Sequence, residues 1–484
     1  MTELNTSCRP DEIAWRFRDT PMLHSLSPHH RYRRIRVAVV GGGVGGAYLA
    51  WHLRRLGFSV TVLTKDAGRL VSSGLSAPGE VNRGGMRLPM DTHVFVRRAL
   101  EDVDLIGSLV AFRNYEPNAF LRLRGTQVRM KDYRALASLY DAERLGDPKA
   151  LLGRLLAKAT SELGESPSAI EWSLMEGHGL GYQTVREQLH ALGLDDNQCA
   201  FVGWVNGVHA YLDTPMGELA VDYQSLYGNR HYATLSGGLQ QLPDALLTRS
   251  GATIVSDASV ETIEVGEHGV AVGYHTPSGN RTCRTDFVMM SAPAPAVARM
   301  RFEPALPIEQ TEALEGIRYA SSAKTLMVTN DPFWLADGIG GGMSWTDEPL
   351  QQIVYPSHAV SGKACTFVAS YSWEDRARRL MHAPDSESRT EWLIEGLERI
   401  HPGCSQYLRD VEHTDWDARC GYGAFTYYGP GDYARHHRWL SRAFPETPRV
   451  FFSGEHAGLH HGWAEAALQS AQTAILQLLA EIAR

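Results

Sequence analysis

Two cationic side chains occupy positions that suit chemistry better than solvation. Arg87 ends the run Gly-Gly-Met-Arg, within a stretch from Arg69 so rich in Gly, Ser, Pro and Asn that it predicts extended loops. Lys324 precedes the apolar run TLMV and therefore lies in a predicted strand. A guanidinium is a fork that matches a carboxylate, and a lysine buried in a strand has a depressed pKa. The alternatives are a surface arginine and a lysine whose ammonium reaches solvent.

The element that must position a nucleotide lies earlier in the chain. Ile35–Val40 is a short β-branched run that predicts a buried parallel strand, and Gly41, Gly43 and Gly46 follow it. A helical pattern comes next, and Ser59–Leu63 predicts a second strand. In such a unit the first glycine permits the tight turn, the second lets backbone N–H groups approach a pyrophosphate, and the third lets helix and strand pack closely. The pattern therefore predicts a dinucleotide site rather than a purely structural turn.

The second strand ends on a residue that departs from this pattern. An acidic residue is expected there to bind the adenosine ribose, but the chain has Thr64, followed by Lys65 and Asp66. Thr64 or Asp66 would bond a ribose hydroxyl, whereas a Thr-Lys pair is also compatible with a 2′-phosphate. This unit alone therefore leaves NADP open.

Composition limits the class of protein. The 484 residues suffice for two or three domains, and 43% hydrophobic and 21% charged residues are ordinary for a soluble protein. A net charge of −8 disfavours nucleic acid and anionic membranes as partners, and no apolar run reaches the length of a membrane span. The six scattered cysteines form no Cys-x-x-Cys pair, so no metal site or disulfide framework is indicated, and no signal-peptide core is visible. We therefore expect a cytoplasmic protein.

The chain as a whole predicts an α/β fold with interleaved domains. The last predicted strand, at Arg449–Gly454, and its helix, Ala464–Ile482, complete the first unit from the opposite end of the chain. Simple NAD dehydrogenases keep their Rossmann strands together in sequence, so the interruption favours FAD held extended along the sheet. We predict an N-terminal arm at 1–34, a Rossmann-like FAD-binding domain at 35–87, 235–300 and 445–484, a mixed-sheet substrate-binding domain at 88–130 and 301–444, and a helical insertion at 131–234.

Several motifs resemble the flavin amine oxidase superfamily, and its L-amino-acid oxidase branch fits best. The resemblance covers roughly residues 35–130 and 235–478, and the helical middle at 131–230 does not align. It implies a fold like that of p-hydroxybenzoate hydroxylase and the amine oxidases. The motifs are VVGGGVGG, Gly68-Arg69, GGMR (84–87), LSGGLQQLPDAL (235–246), RFEPALP (301–307), AKTLMVTNDPFW (323–334), DGIGGGMSWTDEPLQQIVYPSH (337–358) and FFSGEHAGLHHGWAEAALQSA (451–471).

The resemblance also implies roles for individual residues. Arg87 would pair with a substrate carboxylate, helped by Tyr371, while Gly462 and Trp463 would contact the substrate amine and wall the flavin, and Lys324 would be catalytic by holding a water near flavin N5. Ala424 stands where some members have the cysteine that attaches the flavin, so FAD should be noncovalent. Cofactor contacts are expected from Gly41, Gly43, Gly45, Gly46, Thr64, Arg69, Gly85, Met86, Arg87, Val260, Gly454, Glu455, Trp463 and Ala464, and no metal is expected.

The implied reaction is oxidative deamination of an L-amino acid. Hydride passes from the α carbon to flavin N5, O₂ reoxidises the flavin, and the products are a 2-oxo acid, ammonia and H₂O₂. The alternatives are an amino-acid 2-monooxygenase, an amine or polyamine oxidase, and a flavoprotein scaffold. We also expect a homodimer. His460 and His461 are candidate bases of lower rank, Asp222 and His231 are weaker still, and the aromatic residues Trp204, Trp373, Phe425 and Trp463 favour an apolar or aromatic substrate.

Overall fold

The computed structural model describes most of the chain. The described residues are 23, 29–66, 68–163, 170, 173–175, 179–227, 231–444 and 448–484. The predicted N-terminal arm is thus described only at Leu23, which is buried, and from His29 onward. Cys8 and the loop predicted at Gly164–Ser168 lie outside the described residues.

A parallel sheet carries the glycine turn at the end of its middle strand. The sheet joins the first predicted strand to the last one, because the strands at both ends of the chain lie in it, as the sequence predicted. Four of the strands are short, mostly apolar runs buried against flanking helices, whereas the edge strand Thr253–Val255 is largely exposed. In spatial order the strands are Val450–Phe452, Phe287–Met290, Arg36–Val40, Ser59–Leu63 and Thr253–Val255.

Two helices from opposite ends of the chain pack together on this sheet. Val44–Leu56 follows the glycine turn and ends at Gly57, whose φ of 111° is the left-handed conformation that glycine tolerates best. Ala464–Ala483 contacts it, and residues of both helices belong to one buried cluster with the sheet. This packing holds the start of each helix beside the carboxyl ends of the strands, where ligands bind in open α/β sheets.

A mixed seven-stranded sheet forms the second layer of the molecule. Its order is Leu408–Asp415, Ser322–Thr329, Cys365–Trp373, Gln352–Tyr355, Gly342–Thr346, Phe120–Leu123 and Thr126–Arg129. Smaller sheets comprise Gly279–Thr285, Gly269–Thr276, Ser259–Gly266 and Arg301–Glu303; Leu88–Pro89, Tyr232–Leu235 and Leu109–Ala111; and Arg318–Ala320 with Phe425–Tyr427.

The middle of the chain is helical, as the sequence predicted, but the later part contains more helices than its sequence pattern indicates. Between 302 and 428 the sequence pattern indicates mostly strands and one clear helix, near 390–400. The structure has Ile308–Gly316, Asp375–Met381 and Trp416–Cys420 in addition to Ser386–Ile400. These extra helices span too few turns to show a helical period. The other α-helices are Val94–Asp102, Pro148–Glu162, Val185–Ala191, Asp196–Val205, Met216–Tyr227, Gln241–Ser250, Ala294–Ala298 and Arg438–Leu440. Shorter turns are 3₁₀ helices at His30–Arg34, Ile106–Ser108, Met130–Tyr140, His209–Tyr211, Phe333–Leu335, Cys404–Tyr407 and Glu455–Ala457, and a π-helix at Tyr433–His437.

The helical middle packs over the parallel sheet. Leu156 and Leu219 share one buried apolar cluster with Val40 and Val288 of the sheet. Pro148–Glu162 begins at Asp147, whose carboxylate accepts a hydrogen bond from Lys149 N at 3.0 Å. The segment that could not be aligned therefore covers the carboxyl ends of the strands. In the part of the chain described, no helix is both long and apolar enough to cross a membrane.

Candidate active site

A cavity of about 1190 Å³ extends from the glycine turn to Arg87 and Tyr371. It lies where the parallel sheet, the mixed sheet and the helical middle meet. Pockets for a single small ligand are commonly about 300–1,000 Å³. The cavity therefore has room for an extended cofactor and a small substrate side by side.

Most of the predicted site residues line this cavity. Two do not: Gly46, which packs behind the glycine turn, and Lys324, which lies behind the cavity wall. The predicted residues in the lining are Gly41, Gly43, Gly45, Thr64, Arg69, Gly85, Met86, Arg87, Val260, Tyr371, Gly454, Glu455, Gly462, Trp463 and Ala464.

The glycine turn has the geometry that a pyrophosphate site needs. Gly41 has a φ of +109°, and a Cβ there would lie 2.9 Å from the carbonyl carbon of Ser291. A Cβ on Gly46 would lie 1.9 Å from Gly41 O, so only glycine lets the helix approach the turn. Gly43 and Gly45 face the cavity at the start of the helix Val44–Leu56, whose first N–H groups attract anions. The residues present thus fit the phosphates of FAD.

The end of the second strand is closed by its own turn. Thr64 Oγ1 donates to Asp66 O at 2.6 Å, and Asp66 Oδ1 accepts from Gly68 N at 2.8 Å. This part of the lining contains two carboxylates, Asp66 and Glu261, and one ammonium, that of Lys65. Two carboxylates suit the hydroxyls of a ribose better than they suit a 2′-phosphate, because like charges repel. This end of the cavity therefore favours FAD over NADP.

Glu455 ties three separate segments together beneath the cavity. Its Oε1 accepts from Thr426 N at 3.0 Å, from Thr426 Oγ1 at 2.7 Å and from Gly462 N at 2.6 Å, while Oε2 pairs with Arg69 Nη1 at 2.9 Å. Burial would raise its pKa, but the Arg69 charge and these donors hold the pKa of Glu455 at about 2. The carboxylate therefore stays ionised and fixes the Gly462 turn, which presents Trp463 to the cavity.

Arg87 reaches the cavity just before the short strand Leu88–Pro89. Its Nη1 donates to Asn114 Oδ1 at 2.6 Å, and its guanidinium carbon lies 5.8 Å from the centre of the Trp463 ring. Among the described residues, no carboxylate oxygen lies within 4.0 Å of its nitrogens, whereas Arg69 is paired with Glu455. Tyr371 lines the same region, and burial raises the pKa of its hydroxyl, so it stays protonated. An anion bound here could accept hydrogen bonds from the Arg87 guanidinium and from the Tyr371 hydroxyl.

Lys324 lies behind the loop that carries Arg87. The residue is 1% exposed, and its ammonium donates to Asn82 O at 3.2 Å and Gly84 O at 2.5 Å and lies 4.5 Å from the centre of the Tyr371 ring. Burial lowers the pKa of Lys324 to about 8, although buried Glu80 opposes the shift. The predicted burial of this lysine is thus confirmed, while its contact with a water at the flavin stays a prediction.

The histidines divide into two groups. His461 lines the cavity and its Nδ1 lies 2.7 Å from Glu218 Oε1; burial would lower its pKa, but Glu218 raises it. His460 does not line the cavity, and burial lowers its pKa to about 4. His231 lies away from the cavity, with Nδ1 2.9 Å from Asp91. Within the described ranges, no group of three His, Cys, Asp or Glu side chains could hold a metal.

The cavity also contains residues that the sequence ranked low or missed. Asp222 lines it and accepts from Trp463 Nε1 at 2.6 Å. Aromatic rings from separate parts of the chain form the wall beyond Arg87. The sequence singled out Trp204, Trp373 and Phe425, whereas the other three rings were missed because nothing in their spacing marks them. The residues of the wall are Phe112, Trp204, Tyr211, Trp345, Trp373 and Phe425.

Comparison with known proteins agrees with this geometry. A family model described as flavin containing amine oxidoreductase matches residues 46–474. An L-amino-acid oxidase of Siganus canaliculatus is 28% identical over 453 residues, 90% of this chain and 83% of the relative. An L-amino-acid oxidase of Mus musculus is 27% identical over 466 residues, 92% of this chain and 70% of the relative.

Solved structures show the same fold. Cyclohexylamine oxidase from Brevibacterium oxydans IH-35A superposes with a TM-score of 0.72 at 20% identity, over 93% of this chain and all 100% of that one. Wild-type putrescine oxidase bound to putrescine has a TM-score of 0.67 at 18% identity, over 92% of this chain and 99% of that one.

Proposed function

The chain belongs to the flavin-containing amine oxidoreductases, and from that premise we propose that it oxidatively deaminates an L-amino acid. The products are a 2-oxo acid, ammonia and H₂O₂, with O₂ as the electron acceptor and FAD held noncovalently. FAD, when bound, would take a hydride from the substrate α carbon and pass the electrons to O₂. The curated relatives named L-amino-acid oxidase support this reaction at modest identity.

The observation that carries the proposal is that Arg87, which bonds Asn114, has no carboxylate within 4.0 Å among the described residues. Arg87 is half-buried in the wall of the cavity, so its charge favours a ligand that supplies an anion there. The α-carboxylate of an amino acid does so, and the guanidinium fork can bond both of its oxygens. A simple amine brings no such group, so it would leave Arg87 without a counter-charge.

The aromatic wall sets the kind of side chain that the site accepts. Trp204, Trp345 and Trp373 line the cavity beyond Arg87 and Tyr371. Trp373 packs edge-on against Tyr371, with ring centres 5.1 Å apart, so the wall is rigid and mostly apolar. We therefore propose an apolar or aromatic L-amino acid as the substrate.

The decisive experiment removes the guanidinium and compares two substrates. Arg87→Ala should lower kcat/KM for an amino acid by about two to four powers of ten, because breaking a buried ion pair costs about 3–5 kcal/mol. The matching amine, which lacks the carboxylate, should be turned over slowly and almost equally by both forms. Arg87→Lys should recover only part of the loss, because a point charge cannot form both hydrogen bonds.

Arg113→Ala is the matched control. Arg113 also lines the cavity, but its guanidinium is already paired with Glu116 at 2.6 Å. This variant should keep the preference for the amino acid over the amine. If Arg87→Ala lowers both substrates equally, Arg87 supports the loop, and an amine oxidase becomes the better description. Detection of an amide in place of the 2-oxo acid would instead identify a 2-monooxygenase.

A further inference from the structure

In the described structure, one of the two carboxylate oxygens of Asp222 accepts a hydrogen bond and the other does not. Asp222 comes from the helix Met216–Tyr227 and lines both the large cavity and a smaller one beside it. Its Oδ1 accepts from Trp463 Nε1 at 2.6 Å. In the described structure no second donor bonds this carboxylate, so one oxygen is available to a ligand.

The other ionisable groups nearby are paired or lie outside the large cavity. Glu455 accepts four hydrogen bonds, three at Oε1 and one at Oε2. His461 Nδ1 pairs with Glu218 Oε1 at 2.7 Å, and Glu218, whose Oε2 is buried without a hydrogen-bond partner among the described residues, lines the smaller cavity and not the large one. His93 and His460 do not line the cavity. Asp222 is therefore the carboxylate near Trp463 that can still accept a proton from a bound molecule.

Building on the proposed function, we propose that Asp222 accepts the proton that the substrate α-ammonium loses before the α carbon is oxidised. The step is a simple proton transfer: one N–H bond breaks, its electron pair stays on nitrogen, and one O–H bond forms. The products are a neutral amine and a carboxylic acid, and nothing is oxidised or reduced.

The positions of the two charges fit a zwitterion. Arg87 and Asp222 both flank Trp463, since the Arg87 guanidinium carbon is 5.8 Å from the centre of the indole ring and Asp222 bonds the indole N–H. In an α-amino acid the ammonium and carboxylate share one carbon. A substrate whose carboxylate pairs with Arg87 can therefore turn its ammonium toward Asp222.

A route away from Asp222 also exists. The smaller cavity, of about 10 Å³, is lined by Asp222, Tyr211, Glu218 and His461. That volume is close to the space of one water molecule. A single water there would link Asp222 to the Glu218–His461 pair, which can pass the proton on between substrates.

The charge state of Asp222 suits this role near neutral pH. Burial raises the pKa of Asp222 to about 6, opposed by the Trp463 hydrogen bond, Arg87 and His461 and reinforced by Glu218. Tyr211, which also faces it, stays protonated because burial raises its pKa. Above this pH Asp222 is ionised and can take a proton; below it, the acid form cannot.

The test is the pH profile of kcat/KM for one good amino-acid substrate. Wild type should lose activity with a slope of one below about pH 6, where Asp222 protonates. In Asp222→Asn the midpoint near pH 6 should disappear: kcat/KM should fall by about 10²–10⁴-fold at pH 7.5 and should rise about tenfold per pH unit up to the pKa of the free substrate amine, because only the free amine then reacts. The variant's affinity for 3-phenylpropanoate, which has the carboxylate but no amine, should stay within threefold of wild type.

Trp463→Phe provides an independent test that keeps Asp222. Loss of the indole N–H removes a donor to the ionised form, so the acid limb should move up by about one pH unit. The proposal is overturned if Asp222→Asn retains a midpoint near pH 6, or if Trp463→Phe leaves the wild-type midpoint unchanged. A wild type that no amino acid reduces would instead refute the proposed function, so the two failures are distinguishable.

Discussion

Replacing Gly46 with alanine tests whether the glycine turn is built for close approach of helix and strand. Gly46 lies in the helix Val44–Leu56, and its added Cβ would sit 1.9 Å from Gly41 O. Ordinary contacts begin at 3.4 Å, so the two segments must separate by 3.4 − 1.9 = 1.5 Å. The neighbour is backbone in a turn with positive φ, which cannot rotate away as a side chain can.

The expected free-energy change is the difference between two opposing effects. Alanine favours a helix interior over glycine by about 1 kcal/mol. Overpacking in a close-packed site costs about 1–3 kcal/mol, occasionally more, and a 1.5 Å displacement belongs at the upper end of that range. We therefore expect Gly46→Ala to lower the free energy of unfolding by about 2 kcal/mol. Because the displaced helix start also lines the cofactor cavity, the purified protein should contain less FAD.

Gly153→Ala is the matched control, since it makes the same change in a helix with open space. Gly153 lies in Pro148–Glu162 and lines the cavity, so its added Cβ would have nothing within 4 Å. It is therefore a control for stability and not for flavin content. This variant should be stabilised by up to about 1 kcal/mol. The assay is urea unfolding followed by tryptophan fluorescence, with the flavin-to-protein absorbance ratio measured on the same samples. If Gly46→Ala gains stability as Gly153→Ala does, and keeps its flavin, the close-approach argument is wrong.

Two further predictions concern the cofactor and the buried lysine. Because Ala424 stands where some members of the family carry a linking cysteine, acid precipitation should leave yellow flavin in the supernatant, and colour retained on the pellet would contradict noncovalent binding. Lys324→Met should slow the reaction of the reduced enzyme with O₂ more than it weakens substrate binding, as stopped-flow measurements of each half-reaction would show. The same change leaves Gly84 O, Asn82 O and Glu80 without their cation and should lower the urea midpoint; a lower midpoint with unchanged O₂ kinetics would make Lys324 purely structural.

The sequence alone was sufficient where function depends on local backbone geometry. Glycine is required at one position each for the tight turn after the strand, the close approach to phosphate and the packed helix start. Gly41, Gly43 and Gly46 can therefore be recognised from the sequence alone. The terminal strand Val450–Phe452 was also predictable, because a buried parallel strand is a short apolar run. Short helices such as Asp375–Met381 were missed, since two turns carry too little periodicity to be recognised.

Tertiary structure alone decided which polar groups meet. Trp463 and Asp222 are 241 residues apart in sequence and share a hydrogen bond of 2.6 Å, and Arg69 meets Glu455 across 386 residues. Such pairs depend on how helices and sheets pack, and side-chain type alone does not identify a partner so distant in the chain. The sequence accordingly identified Arg87 as a cation in a loop and ranked Asp222 low. Among the described residues, folding leaves Arg87 without a carboxylate partner while Asp222 lines the same cavity, because packing fixes which charges are neutralised and which are left for a ligand.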